Sequence, residues 1–117
     1  MAGRYDLKIR QGASLSLPLS WAYTGIDFTG ATARAKIVSA FPLGTILATL
    51  TCPVTSAALS SITVTVSMTA TETAALSTTS TKRQAKLGEW DIEIVLGDGR
   101  VLAMLEGAVW LTQESTR

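Results

Sequence analysis

The segment over residues 89–113, EWDIEIVLGDGRVLAMLEGAVWLTQ, constrains the fold of this chain more than any other stretch. Its first half places Trp90, Ile92, Ile94 and Leu96 on one face and Glu89, Asp91 and Glu93 on the other. This period of two is typical of a half-buried strand. Asp98-Gly99 predicts a tight primed turn, and residues 101–111 predict the returning strand, with a bulge at Gly107. The segment therefore predicts a β-hairpin.

The same alternation of apolar and polar residues recurs upstream, over residues 5–10, 14–21, 31–38, 45–52 and 61–68. Residues 23–29, 41–44 and 53–60 are expected to be connecting loops, because glycine, proline or small polar residues interrupt the pattern there. Pro18 lies inside the second of these strands and has no N–H to donate. We therefore expect this strand at a sheet edge, or Pro18 at a bulge or on an unpaired side.

A short helix is predicted after residue 68, where the alternation stops. Thr69-Ala70-Thr71-Glu72 matches a capping box, and one or two helical turns can follow up to Leu76. Residues 77–86 have no apolar period and are expected to form a basic loop. The spacing predicts one domain over residues 1–117: an all-β, two-sheet sandwich of about seven strands with one short helical turn before the penultimate strand.

Two strands carry complementary charges on their polar faces. Arg34 and Lys36 alternate with small apolar residues, whereas Asp91 and Glu93 occupy the polar face of the hairpin strand. Opposite charges directly across a sheet contribute about 0.2–1 kcal/mol per pair. We therefore expect these two strands to be neighbours.

Composition excludes several kinds of chemistry. The chain has one cysteine, Cys52, and no histidine, which rules out disulfide frameworks, Cys/His zinc sites and His-dependent catalytic triads. The net charge of +1 gives no strong attraction to nucleic acid or to a membrane surface. No apolar run approaches the roughly 20 residues of a membrane span, and the N-terminus lacks the apolar region of a signal peptide. We expect a soluble protein that is not an enzyme and has no cofactor.

The remaining candidates are surface residues for contact with a partner. Trp110 is out of phase with Val109 and Leu111, so it is expected to be exposed at an interface. The loop residues Lys82, Arg83 and Lys86 suit an acidic neighbouring subunit, and Pro18 marks an edge strand. The acidic face of the hairpin or Trp110 would alternatively suit a small carbohydrate- or cation-binding module.

Four phrases of the sequence resemble structural proteins of tailed bacteriophages, in particular the immunoglobulin-like N-terminal domain of the baseplate upper protein family. They are Gln11-Gly12, DFTGAT over residues 27–32, TATETAAL over 69–76, and GEWDIE over 88–93 followed by Asp98-Gly99. The resemblance implies an immunoglobulin-like antiparallel sandwich and a place in the virion, assembled in the host cytoplasm. The chain departs from that family in having no long C-terminal part after Arg117.

The function expected from this resemblance is a non-enzymatic adaptor of the tail, baseplate or fibre attachment. Its partners would be other virion proteins and copies of itself, with no nucleic acid and no membrane. A capsid decoration or head-fibre protein is the alternative within the structural class. Both functions depend on contacts with other proteins, so the residues that matter for them lie on the surface of the fold.

Overall fold

The computed structural model describes residues 3–39, 44–76 and 83–113. Eight strands and one helix follow each other: β1 (Gly3–Arg4), β2 (Leu7–Arg10), β3 (Leu15–Asp27), β4 (Thr32–Val38), β5 (Ile46–Leu50), β6 (Val54–Met68), α1 (Ala70–Ala74), β7 (Gln84–Val95) and β8 (Val101–Thr112). The predicted all-β class with one short helix before the penultimate strand is confirmed. No described helix is long and apolar enough to cross a bilayer.

The strands form two sheets. The larger has the order β1-β8-β7-β4-β5, with β2 also paired to β8, and the smaller contains β3 and β6. The neighbours β4, β7 and β8 and the separate β3–β6 pair correspond to the central strands of immunoglobulin-like sandwiches. Strands β1 and β2 run parallel to β8, and the other pairs are antiparallel. The sandwich therefore contains two parallel pairs in addition to the antiparallel pairs that the sequence predicts.

The expected adjacency of the basic and acidic strands is confirmed. Strands β4 and β7 pair antiparallel, with Arg34 opposite Glu93 and Lys36 opposite Asp91. The Arg34 Nε atom donates to Glu93 Oε1 at 3.1 Å. Charge alternation on the polar faces thus identifies the correct neighbour among several possible strands.

The hairpin of β7 and β8 is also confirmed, but its turn and bulge differ from expectation. Gly99 N donates to Leu96 O at 2.9 Å, Leu96 N donates to Arg100 O at 2.8 Å, and Gly99 has φ of +94°. This is a three-residue loop closed by a left-handed glycine, not a two-residue primed turn. The register shifts lie between Lys86 and Gly88 and between Ile92 and Glu93, whereas Gly107 pairs in register with Trp90. The prediction of a bulge at Gly107 is therefore wrong.

Gly107 is needed because another backbone passes directly over it. A Cβ at this position would collide with the carbonyl oxygen of Tyr5. That carbonyl also accepts a hydrogen bond of 2.7 Å from the indole Nε1 of the fully buried Trp90. The N-terminal segment is thus attached to β8 by a close approach that the local pattern around Gly107 does not reveal.

Three predicted loops are partly strands. Residues 23–27 continue β3, residues 54–60 belong to β6, and residues 84–86 begin β7. Each gains backbone partners from a distant strand, such as Asp27 with Leu59 and Gln84 with Thr112. Ser60 in β6 has φ of +69°, which marks a sharp bend inside this long strand. The turn expected over 41–44 and the tail over 114–117 lie, apart from Gly44, outside the described residues.

The core lies between the two sheets. Its largest fully buried side chains are Trp90, Phe28, Leu7, Ile9, Ile37, Ile62, Ile92, Ile94 and Leu111. The alternation of their strands predicts both Trp21 and Trp90 in the core. Trp90 is fully buried there, whereas Trp21 and the other inward-facing side chains of β3 are half-buried against it. The β3 side of the core is therefore less well covered than the β6 side.

The predicted capping box begins α1. Thr69 Oγ1 accepts from Glu72 N at 3.1 Å, and Glu72 Oε1 accepts from Thr69 N at 2.8 Å. The helix also holds the turn after β2, because buried Gln11 donates from Nε2 to Leu76 O at 2.7 Å. Thr73 Oγ1 accepts from Gly12 N at 3.1 Å and donates to Ala13 O at 2.8 Å.

Candidate interaction surfaces

Trp110 lies on the outer face of the larger sheet, between two lysines. Its register partners are Lys8 in β2 and Lys86 in β7, so the three side chains form one row across three strands. Val109 and Leu111 point inward and are fully buried, whereas Trp110 is half-buried. We name this row, Lys8–Trp110–Lys86, the Trp110 patch. It places a large aromatic, a residue type enriched at protein interfaces, between two cations.

The structure brings two of the predicted interface residues, Trp110 and Lys86, together. Lys86 belongs to β7 and adjoins Trp110 directly; its Nζ also lies 2.7 Å from Glu89 Oε1. Arg83 is exposed just before β7, and its carbonyl accepts from Gln113 N at 2.6 Å. Lys82 lies outside the described residues. Pro18 is on the smaller sheet, away from the patch.

The expectation that Pro18 lies on an edge strand is confirmed. Among the described strands, β3 has β6 as its single neighbour, with Pro18 opposite Thr65. The Thr65 N–H donates to Pro53 O on the far side of β6 at 3.1 Å. In an antiparallel ladder, the Pro18–Thr65 pair is thus one whose backbone groups point away from each other. The missing N–H of Pro18 consequently costs the β3–β6 ladder nothing.

The acidic face of β7 forms a strip on the outer surface next to the Trp110 patch. Asp91 lies opposite Lys36 on one side and opposite Glu106 on the other. Burial raises the pKa of Asp91, and the carboxylates of Glu93 and Glu106 raise it further. Among the described residues, no three potential metal-ligating side chains come close enough together to hold an ion.

Cys52 follows β5 and is half-buried. Burial raises the pKa of its thiol, and Sγ donates to Leu50 O at 3.5 Å. The thiol form is thereby favoured over the nucleophilic thiolate. Cys52 thus serves as a small, half-buried residue beside the core.

The phrases that carry the family resemblance form turns, caps and close approaches. Gly12 N, in the first phrase, donates to Thr73 Oγ1, in the third. The Asp27 carboxylate accepts a hydrogen bond from Thr29 N at 3.0 Å, which lowers the pKa of Asp27. A Cβ on Gly88 would collide with Val38 O. All of these contacts hold the fold, so partner-binding residues are best sought outside the phrases.

Two surface grooves were not predicted from the sequence. One, of about 270 Å³, is apolar and lies between Tyr23 and Ile26 of β3 and residues 101–104 of β8. The other, of about 730 Å³, lies between residues 4–8 and residues 15–17. Tyr5 and Tyr23, which are 43% and 41% exposed, are the sequence signals that could have pointed to them. Tyr5 instead begins an alternating segment, and Tyr23 begins a segment that the sequence predicts as a loop.

Comparison with known proteins gives no match to a protein-family model and no match to a curated protein.

Proposed function

We propose that this chain is a non-enzymatic structural protein of a tailed bacteriophage that joins other virion proteins in the tail, baseplate or fibre attachment. The observation that carries the proposal is the Trp110 patch, an aromatic flanked by two lysines on the outer face of a sheet. Tryptophan is among the residues that contribute most to binding at protein interfaces. The family resemblance of the four phrases supports the virion setting.

The fold suits such an adaptor because Trp110 is held on a rigid sheet from which it can contact a partner. Trp110 sits in the centre of a three-strand region, with β2 on one side and β7 on the other. The residues behind it, Val109 and Leu111, are fully buried and fix the backbone. An anchor held in this way loses little conformational entropy on binding.

The test uses tailed particles purified from a culture that expresses the chain. Replacement of Trp110 by threonine keeps a strand-forming residue but removes the aromatic, and it is expected to reduce the copies of the chain per particle at least fivefold. Lys36→Thr, on the same outer face but in β4, is the control and should leave occupancy unchanged. Equal occupancy of the wild type and Trp110→Thr would show that the patch does not attach the chain.

A further inference from the structure

One edge of β3 carries backbone groups that have no partner in the described chain. Leu17 and Leu19 direct their backbone N–H and C=O groups toward β6. Ser16, Pro18 and Ser20 direct their backbone groups away from β6, and of these three only Ser16 and Ser20 have an N–H. The backbone N–H groups of Ser16 and Ser20 find no acceptor among the described residues. The edge therefore offers alternate donors and acceptors to a further strand.

The core beneath this edge is incompletely covered. Along β6, the inward-facing side chains Ile62, Val64, Val66 and Met68 are at most 4% exposed. Their register partners in β3 are Trp21, Leu19, Leu17 and Leu15, all of which are only half-buried. The two strands contribute to the same layer of the core, so the difference arises on the open side of β3.

A groove runs along this open side. It has a volume of about 730 Å³, and its walls are residues 4–8 and residues 15–17. The first wall belongs to β1 and β2, which pair with β8 and have no other described neighbour. Immunoglobulin-like sandwiches usually place a strand next to the equivalent of β3 in this sheet. Here the N-terminal strands pair with the other sheet, and that place beside β3 has no described strand.

We propose that an extended segment of a partner protein adds to the free edge of β3 as an extra strand and completes the smaller sheet. Its apolar side chains, at every second position, cover Leu15, Leu17 and Leu19. The residues between these apolar positions face solvent on the outer surface of the smaller sheet, so they are polar. The stretch from Leu15 to Trp21 accommodates a strand of roughly 20 Å. This inference rests on the proposed function, since it specifies how the chain joins another virion protein.

Pro18 favours a foreign strand over a second copy of β3. A foreign strand loses one hydrogen bond where it meets Pro18, because the ring nitrogen has no hydrogen. Two β3 edges paired about a two-fold axis near Pro18 would lose one bond in each copy. The proline thus reduces self-association at this edge while leaving Ser16 and Ser20 available as donors.

The probe is a synthetic nine-residue peptide in which valine alternates with threonine and glutamate. A matched peptide carries N-methyl groups on the amides that would pair with β3. We expect the first peptide to bind and to slow hydrogen exchange at the amides of Ser16 and Ser20, and the methylated peptide to do neither. Absence of protection at both amides at saturating peptide would overturn the proposal.

Ser20→Pro tests the same edge from the side of the protein. The Ser20 N–H has no partner among the described residues, so thermal unfolding should change little. The peptide should bind roughly tenfold more weakly, because one hydrogen bond is lost. Ser20→Val loses the same hydroxyl but keeps the amide and should bind normally. Equal binding by Ser20→Pro and Ser20→Val would contradict strand addition, as would protection of Ser16 and Ser20 by the chain's own self-association.

Particle occupancy separates this proposal from the proposed function. Occupancy by wild type and Ser20→Val but not by Ser20→Pro supports both. Equal occupancy by all three refutes the strand addition and leaves the virion function standing. A wild-type chain that never appears on particles but still binds the peptide at Ser16 and Ser20 refutes the virion function and supports the open edge.

Discussion

Replacement of Gly107 by alanine should be among the most damaging single-methyl additions in this protein. The added Cβ would collide with the carbonyl oxygen of Tyr5 and lie 2.7 Å from its carbonyl carbon. The obstruction is backbone, so it cannot be relieved by a change of rotamer. We expect the N-terminal segment to move away from β8.

The cost follows from the bonds that this movement breaks. Trp90 Nε1 donates to Tyr5 O at 2.7 Å, Tyr5 N donates to Glu106 O at 3.0 Å, and Ala108 N donates to Asp6 Oδ1 at 3.0 Å. A buried donor left without a partner costs about 1–3 kcal/mol, and each other bond contributes about 0.5–1.5 kcal/mol. We therefore expect Gly107→Ala to lower the free energy of unfolding by about 2–6 kcal/mol.

The assay is equilibrium unfolding in urea, followed by tryptophan fluorescence and circular dichroism. Gly97→Ala is the control, because a Cβ there would lie 3.4 Å from Thr29 O, an ordinary contact. The control should stay within about 0.5 kcal/mol of wild type. A Gly107→Ala variant as stable as Gly97→Ala would refute the close approach of the N-terminal segment to β8.

Three further predictions concern stability. Arg34→Glu should destabilise the protein and be partly rescued by Glu93→Lys, with a coupling energy of about 0.2–1 kcal/mol in a double-mutant cycle; strictly additive effects would contradict the pairing. Asp91→Asn should raise the urea midpoint at pH 7, because a raised pKa means that the charged carboxylate opposes folding, and this gain should vanish as the pH falls to about 3. A gain independent of pH would count against that cause. Thr73→Val should cost about 1–3 kcal/mol in the same unfolding assay, since it leaves the amide of Gly12 without its hydroxyl acceptor; a neutral effect would show that this bond contributes nothing.

The sequence predicts those parts of the fold that depend on local chemistry or on charge. The capping box at Thr69 is formed by residues three positions apart, and the β4–β7 pairing appears in the charges of Arg34 and Glu93. Trp90 follows the period of its strand into the core. In each case the relevant residues lie within one element or share a simple complementarity.

Contacts between segments distant in sequence were not predictable in this way. The parallel pairing of β2 with β8 joins residues about 100 positions apart, and no periodic pattern records it. Gly107 looked like a bulge because a close backbone approach and a bulge both favour glycine. Lys86 looked like a loop residue because its β partner, Trp110, lies beyond the hairpin turn.

The candidate surfaces were predicted in part. The phase of Trp110 indicated that it does not share a face with Val109 and Leu111, and the structure places it, half-buried, on the outer face. Its position between Lys8 and Lys86 required the register of three strands. The free edge of β3 was suggested by Pro18, but the groove beside it depends on where the N-terminal strands pair.

The most direct test of the central claim is the number of copies of the chain per purified tailed particle, measured by quantitative mass spectrometry before and after tails are separated from heads. We expect a fixed copy number that stays with the tail fraction. Absence of the chain from particles whose other proteins are all detected would contradict a role in the virion.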